Sequence, residues 1–346
     1  MEYRTLGSTG ITVSTACLGT MMFGAWGNPD HDECTQMVDA AFDAGINFFD
    51  TADVYAFGES EEILGAALQG RRDDVLLATK FHNPMGEDLN TRGNSRRWIV
   101  RACENSLRRL RTDWIDLYQI HRPDPTTDLD ETLGALDDLV HAGKVRAVGT
   151  STFPAADIVE AQWVAQERRL VRPRTEQPPY SILARGIERA VLPACQRYGI
   201  GVLTWAPLNG GWLTGKYNAT ATPPSASRAD REPDHFDYGS DVHERKLALV
   251  DQLLVVARDA GTSLTHLAHA FALAHPAVTS TILGPRTLPQ LLDVLAGADV
   301  RVEIDVLDRI DAIVPPGVDV NPRDAGYDPP SITDASRRRR PATQPR

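Results

Sequence analysis

The chain has 346 residues, 42% hydrophobic and 24% charged, with 36 lysines and arginines against 47 aspartates and glutamates, a formal charge of −11. That is an ordinary globular mix, long enough for two average domains or one large α/β barrel, and too acidic for the basic footprint that a nucleic-acid partner needs. No stretch approaches the roughly 20 apolar residues of a membrane span, and the start, Met1-Glu2-Tyr3-Arg4, has no charged-then-apolar leader.

The first element expected is a β-hairpin from Tyr3 to Val13, with Gly7-Ser8-Thr9-Gly10 at its middle. Short β-branched or aromatic runs then predict strands at Thr15–Gly19, Ile46–Asp50, Val75–Lys80, Ile115–His121, Val145–Ser151, Arg174–Gln177, Gly201–Ala206 and Thr279–Gly284. Segments of helical period lie between them: His31–Ala44, Ser60–Leu68, Ser95–Leu110, Leu129–Ala142, Pro154–Arg168, Ile187–Tyr198, Val242–Ala260 and Leu288–Ala296. Ser95 can cap its helix, because its oxygen can satisfy a free amide of the first turn. Eight strand-then-helix units predict a (β/α)8 TIM barrel, one domain over residues 1–320. A long loop, roughly 218–241, is inserted between strands seven and eight, and loops of that length are often lids. Residues 321–346 are expected to be a disordered tail, with the run Arg337 to Arg340 a solvated end. A doubly wound sheet is the competing fold, but no GxGxxG follows a strand.

Barrel enzymes place their active sites at the C-terminal ends of the strands. Strand two ends at Asp50, with Tyr55 five residues on; strand three ends at Lys80 and strand four at His121. Each residue alone has an ordinary explanation as a cap, a packing group or a solvated charge. Together they deliver a carboxylate, a phenol, an ammonium and an imidazole to one rim. A free tyrosine has a pKa of ~10, too high for efficient proton donation near neutrality. A buried Lys80 beside it is expected to lower that value. Asp50 is expected to hold Lys80 charged, and His121 to donate a hydrogen bond to a substrate carbonyl. Carbonyl reduction by hydride needs such an acid, aimed at an oxygen that becomes alkoxide.

On these residues the sequence resembles the aldo-keto reductases, from Tyr3 to about Pro315. The runs Gly45-Ile46-Asn47-Phe48-Phe49-Asp50-Thr51-Ala52 and Asp116-Leu117-Tyr118-Gln119-Ile120-His121 carry the likeness. The family's catalytic tetrad falls on Asp50, Tyr55, Lys80 and His121. The resemblance implies NADPH-dependent reduction of aldehydes or ketones, or the reverse oxidation. It also implies a cofactor lying extended across the top of the barrel. Gly19, Thr20 and Met21 fall where the chain passes under the nicotinamide ribose. Ser151 and Thr152 fall where the family has Ser-Asn holding the carboxamide; Thr152 keeps a hydroxyl and loses the amide. Gln177 matches the second carboxamide contact, and Trp205 the aromatic on which the nicotinamide stacks.

Gly210, Gly211 and Lys216 follow as a cradle for the pyrophosphate, and Ala206, Pro207, Leu208 and Leu213 of the same segment are further expected cofactor-binding residues. Gly210 to Lys216 also matches GxxxxGK, but a P-loop needs Ser or Thr next, and Tyr217 stands there. After strand eight, Arg286 falls at the adenosine 2′-phosphate, with Gln290 and Asp293 at adenine and ribose and Gly284 a further expected cofactor-binding residue. Val294 replaces the family's usual Asn. A guanidinium suits a phosphate dianion, so the expectation is NADPH over NADH. Phe23 and Trp26 either line the substrate pocket, beside Tyr55 and His121, or pack their loop.

No metal is expected. His266, His269 and His275 read as structural or exposed residues far from the rim. Cys17, Cys34, Cys103 and Cys195 are isolated, which argues against disulfides and structural zinc and for a cytoplasmic setting. The partner is a small carbonyl compound; the sequence leaves monomer and homo-oligomer both open. Two other functional readings share the tetrad. One is reduction of nucleotide-linked keto-deoxysugars in secondary metabolism, on the segments Ala102 to Leu110 and Gly284 to Thr287. The other is a nucleotide-sensing regulatory subunit of the same fold. The chain has only four lysines, Lys80, Lys144, Lys216 and Lys246. Lys80 and Lys216 have tasks in this scheme, and Lys144 and Lys246 are expected to be ordinary surface residues.

Overall fold

A computed structural model describes residues 1–217, 225, 227–233 and 240–338. The hairpin strands β1 (Tyr3–Thr5) and β2 (Thr12–Ser14) pair antiparallel. Eight parallel strands follow: β3 (Ala16–Gly19), β4 (Phe48–Asp50), β5 (Leu76–Phe81), β6 (Ile115–Ile120), β7 (Val145–Ser151), β8 (Thr175–Gln177), β9 (Gly201–Thr204) and β10 (Val278–Leu283). They close in sequence order, with β10 pairing both β9 and β3. This is the (β/α)8 barrel with its N-terminal hairpin.

The hairpin plugs the lower end of the barrel. Leu6 and Val13 join Cys17, Phe48, Ala78, Leu117, Ala147, Leu203 and Ile282 in one buried cluster. Gly7, at φ 53, lies so close to the barrel that a Cβ there would sit 2.6 Å from the amide nitrogen of Gly201. The outer helices bury their apolar faces against the strands. Helix Arg96–Leu110 is capped by Ser95, whose side chain accepts from the Trp98 amide, and it buries Ile99, Cys103, Leu107 and Leu110. That stripe has the spacing of one helix face.

Three expectations change. The segment Ile187–Tyr198 is a 3-10 turn, Gly186–Arg189, followed by a helix, Val191–Tyr198. Pro193 lies in the first turn of that helix, where its missing N–H costs nothing, so the helix restarts there. Helix Leu264–Ala274, capped by Ser263, stands between helix Asp241–Asp259 and β10 and was not foreseen. Its sequence is apolar on most sides, so it offers no clean amphipathic stripe. Helix Leu288–Ala296 closes the ring against helix His31–Asp43, and helix Ile304–Ile313, also not foreseen, packs against helix Asp241–Asp259.

The expected insertion falls largely outside the described residues, which leave out 218–224, 226 and 234–239. Its described part holds a short helix, Arg228–Arg231, capped by Ser227. The C-terminal segment also needs correction. Residues 321–326 are not a loose end but lie against the barrel rim. Asp324 accepts from Lys246 Nζ at 2.7 Å and from Asn209 Nδ2 at 3.0 Å. Lys246 is therefore not a surface lysine: it is 5% exposed and also donates to Asn209 Oδ1 at 2.8 Å. Lys144 does lie near the surface, paired with Glu104.

Candidate active site

The upper ends of the barrel strands replace the apolar lining with polar side chains. Asp50 ends β4, Lys80 lies in β5 and pairs in register with Gln119 of β6, and Gln177 ends β8 beside Ser151 of β7. Lys80 is fully buried and Asp50 is 2% exposed. Lys80 Nζ donates to Asp50 Oδ1 at 2.5 Å and to the Thr51 carbonyl oxygen at 2.7 Å. The other carboxylate oxygen of Asp50 accepts from Gln177 Nε2 at 2.9 Å and Gln119 Nε2 at 3.3 Å. Every acceptor direction of the buried carboxylate that faces the barrel thus has a donor, as a buried charge requires.

Tyr55 hangs from the loop after β4 with its hydroxyl 3.4 Å from Lys80 Nζ. Its ring meets that of His121 edge-on, centroids 5.8 Å apart. Burial pushes the phenol's pKa up, Lys80 pulls it down and Asp50 pushes it up; the net direction is up. The expected lowering by Lys80 is therefore real as a contribution but outweighed by desolvation. A phenol that stays protonated at neutral pH is what a proton donor to an alkoxide needs. Burial lowers the Lys80 pKa, but Asp50 and Tyr55 outweigh it, and the net direction is up.

His121, 6% exposed, is held well below the ordinary histidine range by burial and by the charges of Lys80 and Arg122. It is a neutral imidazole. Asn83 Nδ2 lies 3.1 Å from His121 Nδ1. With the Asn83 amide donating there, Nδ1 is the acceptor and the ring proton sits on Nε2, free to donate to a carbonyl oxygen. Asn83 was not foreseen; it belongs to no motif, and its contact comes from a loop 38 residues before His121.

These groups face a cavity of about 1030 Å³. Of the expected site residues, Gly19, Met21, Trp26, Asp50, Tyr55, His121, Ser151, Gln177, Trp205, Ala206, Pro207, Leu208, Gly210, Gly211, Lys216, Gly284, Arg286, Gln290 and Asp293 line it. Lys80 stands behind Tyr55. Four expectations fail to reach the cavity wall. Phe23 is fully buried in the core among Leu18, Met37 and Val38. Leu213 is likewise buried in the core. The Thr20 hydroxyl turns to Ser60 Oγ at 2.8 Å. Thr152, at φ 57, folds its hydroxyl back onto the Ser151 carbonyl oxygen at 2.7 Å. His269 goes the other way: expected far from the rim, it lines the cavity. Its Nε2 lies 2.6 Å from Thr281 Oγ1, and burial lowers its pKa to about 4, so it is a neutral wall residue. Among the described residues no cluster could hold a metal ion.

The segment after β9 is conformationally unusual. Ala206 and Asn209 take positive φ (54 and 48), and Gly210 and Gly211 follow at 67 and 100. Such strain in non-glycine residues persists where surrounding contacts hold it, and it clusters at ligand sites. Lys216, Arg231 and Arg286 gather at this end of the cavity. Burial and the charges of Arg286 and Arg231 lower the Lys216 pKa. Arg231 Nη1 reaches across to the carbonyl oxygen of Trp26 at 3.0 Å. Gln290 Oε1 accepts from the Arg286 amide at 2.9 Å, fixing that loop. At the other end Gly326 lies flat on Trp205: a Cβ there would be 2.7 Å from the indole ring.

Behind the site, Glu176 is fully buried on the face of β8 opposite to Gln177. It accepts from Thr150 Oγ1 at 2.5 Å and the Phe153 amide at 3.1 Å, and burial pushes its pKa up to about 8. An unfolded glutamate ionises near ~4.3. Between these values the folded protein keeps a proton that the unfolded chain has released, so stability falls as pH rises. Glu176→Gln removes the titration and keeps the shape, its amide oxygen accepting from the Phe153 amide and its amide nitrogen donating to Thr150 Oγ1. The wild type is expected to lose stability relative to this variant from about pH 5 to about pH 8, by at most about 1.4 kcal/mol per unit. Urea midpoints measure it; parallel curves for the two proteins would contradict it.

The chain is similar to known proteins along most of its length. The model of the aldo/keto reductase family matches residues 16–315. A chain named "Uncharacterized oxidoreductase YrpG" from Bacillus subtilis (strain 168) is 39% identical over 329 residues, covering 91% of this chain and 96% of the relative. "Aldo-keto reductase YhdN" from the same organism is 37% identical over 296 residues, covering 84% and 87%. A "Probable voltage-gated potassium channel subunit beta" from Oryza sativa subsp. japonica is 38% identical over 324 residues, covering 91% and 97%.

Proposed function

The chain belongs to the aldo/keto reductase family of oxidoreductases, and from that premise we propose that it reduces an aldehyde or ketone to an alcohol with NADPH, using Tyr55 as the proton donor. The observation that carries this reading is the Tyr55 phenol 3.4 Å from the buried Lys80 amine, facing a cavity also lined by Lys216, Arg231 and Arg286.

The residues present fit such a cofactor. Lys216, Arg231 and Arg286 form no ion pair among the described residues, and their positive end suits the pyrophosphate and the 2′-phosphate. A Cβ on Gly284 would meet nothing within 4 Å, so the backbone there is open to the cavity. Trp205 would hold the nicotinamide by stacking, and Ser151 and Gln177 would meet its carboxamide. When bound, NADPH supplies a hydride to the carbonyl carbon. His121 orients the carbonyl oxygen by donating from Nε2. Tyr55 gives its proton to that oxygen as charge develops on it. Lys80 stabilises the phenolate left behind and is itself held charged by Asp50. Trp26, whose ring centroid lies 6.2 Å from that of Tyr55, forms the outer wall on the substrate side.

Within the described residues no helix is long and apolar enough to cross a membrane. The cytoplasmic setting belongs to this proposal, as do the small carbonyl partner and the preference for NADPH. The relatives named as channel subunits do not redirect the reading, because the proton-donating constellation is complete here. Arg286→Ala tests the cofactor assignment. It is expected to weaken NADPH about ten- to a hundredfold, the value of a charge-assisted contact, and NADH less than about threefold. Dissociation constants measured by fluorescence titration decide it; equal losses for both nucleotides would refute the 2′-phosphate role.

A further inference from the structure

Arg122 directly follows His121 and lines the same cavity, half-buried. Its one side-chain hydrogen bond among the described residues runs from Nη1 to the carbonyl oxygen of His121 at 2.7 Å. Several other buried or half-buried arginines among the described residues are neutralised, although Arg174 and Arg286 are not. Arg72 lies 2.7 Å from Asp116, Arg109 lies 2.6 Å from Glu61, and Arg185 contacts both Glu188 and Asp311. Arg122 forms no such pair with a described carboxylate.

Glu176 is near enough to act on Arg122 through its charge. Its own pKa, pushed to about 8 by burial, leaves it protonated at neutral pH. Among the described residues the Arg122 guanidinium thus has no carboxylate within ion-pair distance. Burial disfavours its charge, which in turn bears on both Tyr55 and His121. A partly desolvated, unpaired guanidinium is costly to keep. Its planar fork of N–H donors matches a carboxylate in two-point fashion. Arg323 of the C-terminal segment lines the cavity as well and adds to its positive field.

We propose that Arg122 is a specificity-determining residue that selects carbonyl substrates bearing a carboxylate, an aldehydo or keto acid whose acid group pairs with its guanidinium while the carbonyl meets Tyr55 and His121. This rests on the reductase reading above and names the substrate class of that same site. The unpaired cation beside the proton donor is what distinguishes it from a pocket built for neutral aldehydes, where an apolar wall would suffice.

The test compares 4-carboxybenzaldehyde with its neutral methyl ester as substrates for the intact protein with NADPH. The wild type is expected to favour the acid in kcat/KM by about ten- to a hundredfold, through KM. Arg122→Gln is expected to bring that ratio near one, and Arg122→Lys to keep part of it. A separate titration uses terephthalate, which cannot be reduced, and follows binding by fluorescence. Arg122→Gln is expected to weaken it about tenfold or more. Equal use of acid and ester by the wild type, or a ratio and terephthalate affinity unmoved in Arg122→Gln, overturns the proposal. Failure to reduce any carbonyl, with terephthalate still bound through Arg122, would instead overturn the reductase reading and leave an anion site. If Arg122→Gln does not fold, the wild-type ratio and Arg122→Lys decide.

Discussion

Tyr55→Phe is expected to lower turnover by about two to four orders of magnitude while leaving NADPH affinity within about threefold of wild type. The substitution removes a single oxygen. The ring stays between Trp26 and His121, so the shape of the cavity is kept. What disappears is the proton that Lys80 helps to release, its ammonium 3.4 Å from the hydroxyl. His121 cannot take over, because its neutral ring donates from one nitrogen and is a far weaker acid than an imidazolium. Steady-state rates with a carbonyl substrate, alongside a nucleotide titration, measure both quantities. Activity retained at the wild-type level would remove Tyr55 from the chemistry.

Lys80→Met is expected to cost about 3–5 kcal/mol of stability as well as nearly all turnover. Methionine fills a similar volume. However, Asp50 would remain 2% exposed with only the two glutamine amides of Gln119 and Gln177 to answer its charge. Breaking one half of a buried pair leaves an uncompensated charge, and that dominates the loss. Pairing the change with Asp50→Asn removes the stranded charge, so the double variant is expected to regain most of the stability and none of the turnover. Urea unfolding of the single and double variants checks this. An equal loss in both would mean that packing, not charge, is what Lys80 supplies.

The sequence was legible where a rule ties position to place. Strand ends point to one rim in a barrel, so Asp50, Lys80 and His121 could be found from strand boundaries alone. Tyr55 was reached only through its distance from a strand end, five residues past Asp50, because a loop residue has no periodicity to place it. Helix Arg96–Leu110 was legible from its cap and stripe. The rest depends on contacts far apart in the chain. Lys246 meets Asp324 across 78 residues, and nothing near either residue announces the pair. The rim-bound segment 321–326 was hidden in the same way, by a Pro/Ser/Thr-rich composition that also suits a loose end. Phe23 and Trp26 are neighbours in one loop, yet one packs in the core and the other lines the cavity. Only the path of the loop separates them. Arg122 stands beside His121 in the sequence, but that it meets no described carboxylate is a property of the fold.

The central claim is that a hydride passes to a carbonyl in this cavity, from a nicotinamide covered on one face by Trp205. It is tested most directly by label transfer. The protein is incubated with a reducible aldehyde and NADPH carrying deuterium at one or the other C4 position, and the alcohol is analysed by mass spectrometry. Deuterium is expected in the alcohol from one labelled cofactor and none from the other. Deuterium from both, or from neither while the protein binds the cofactor, would contradict it.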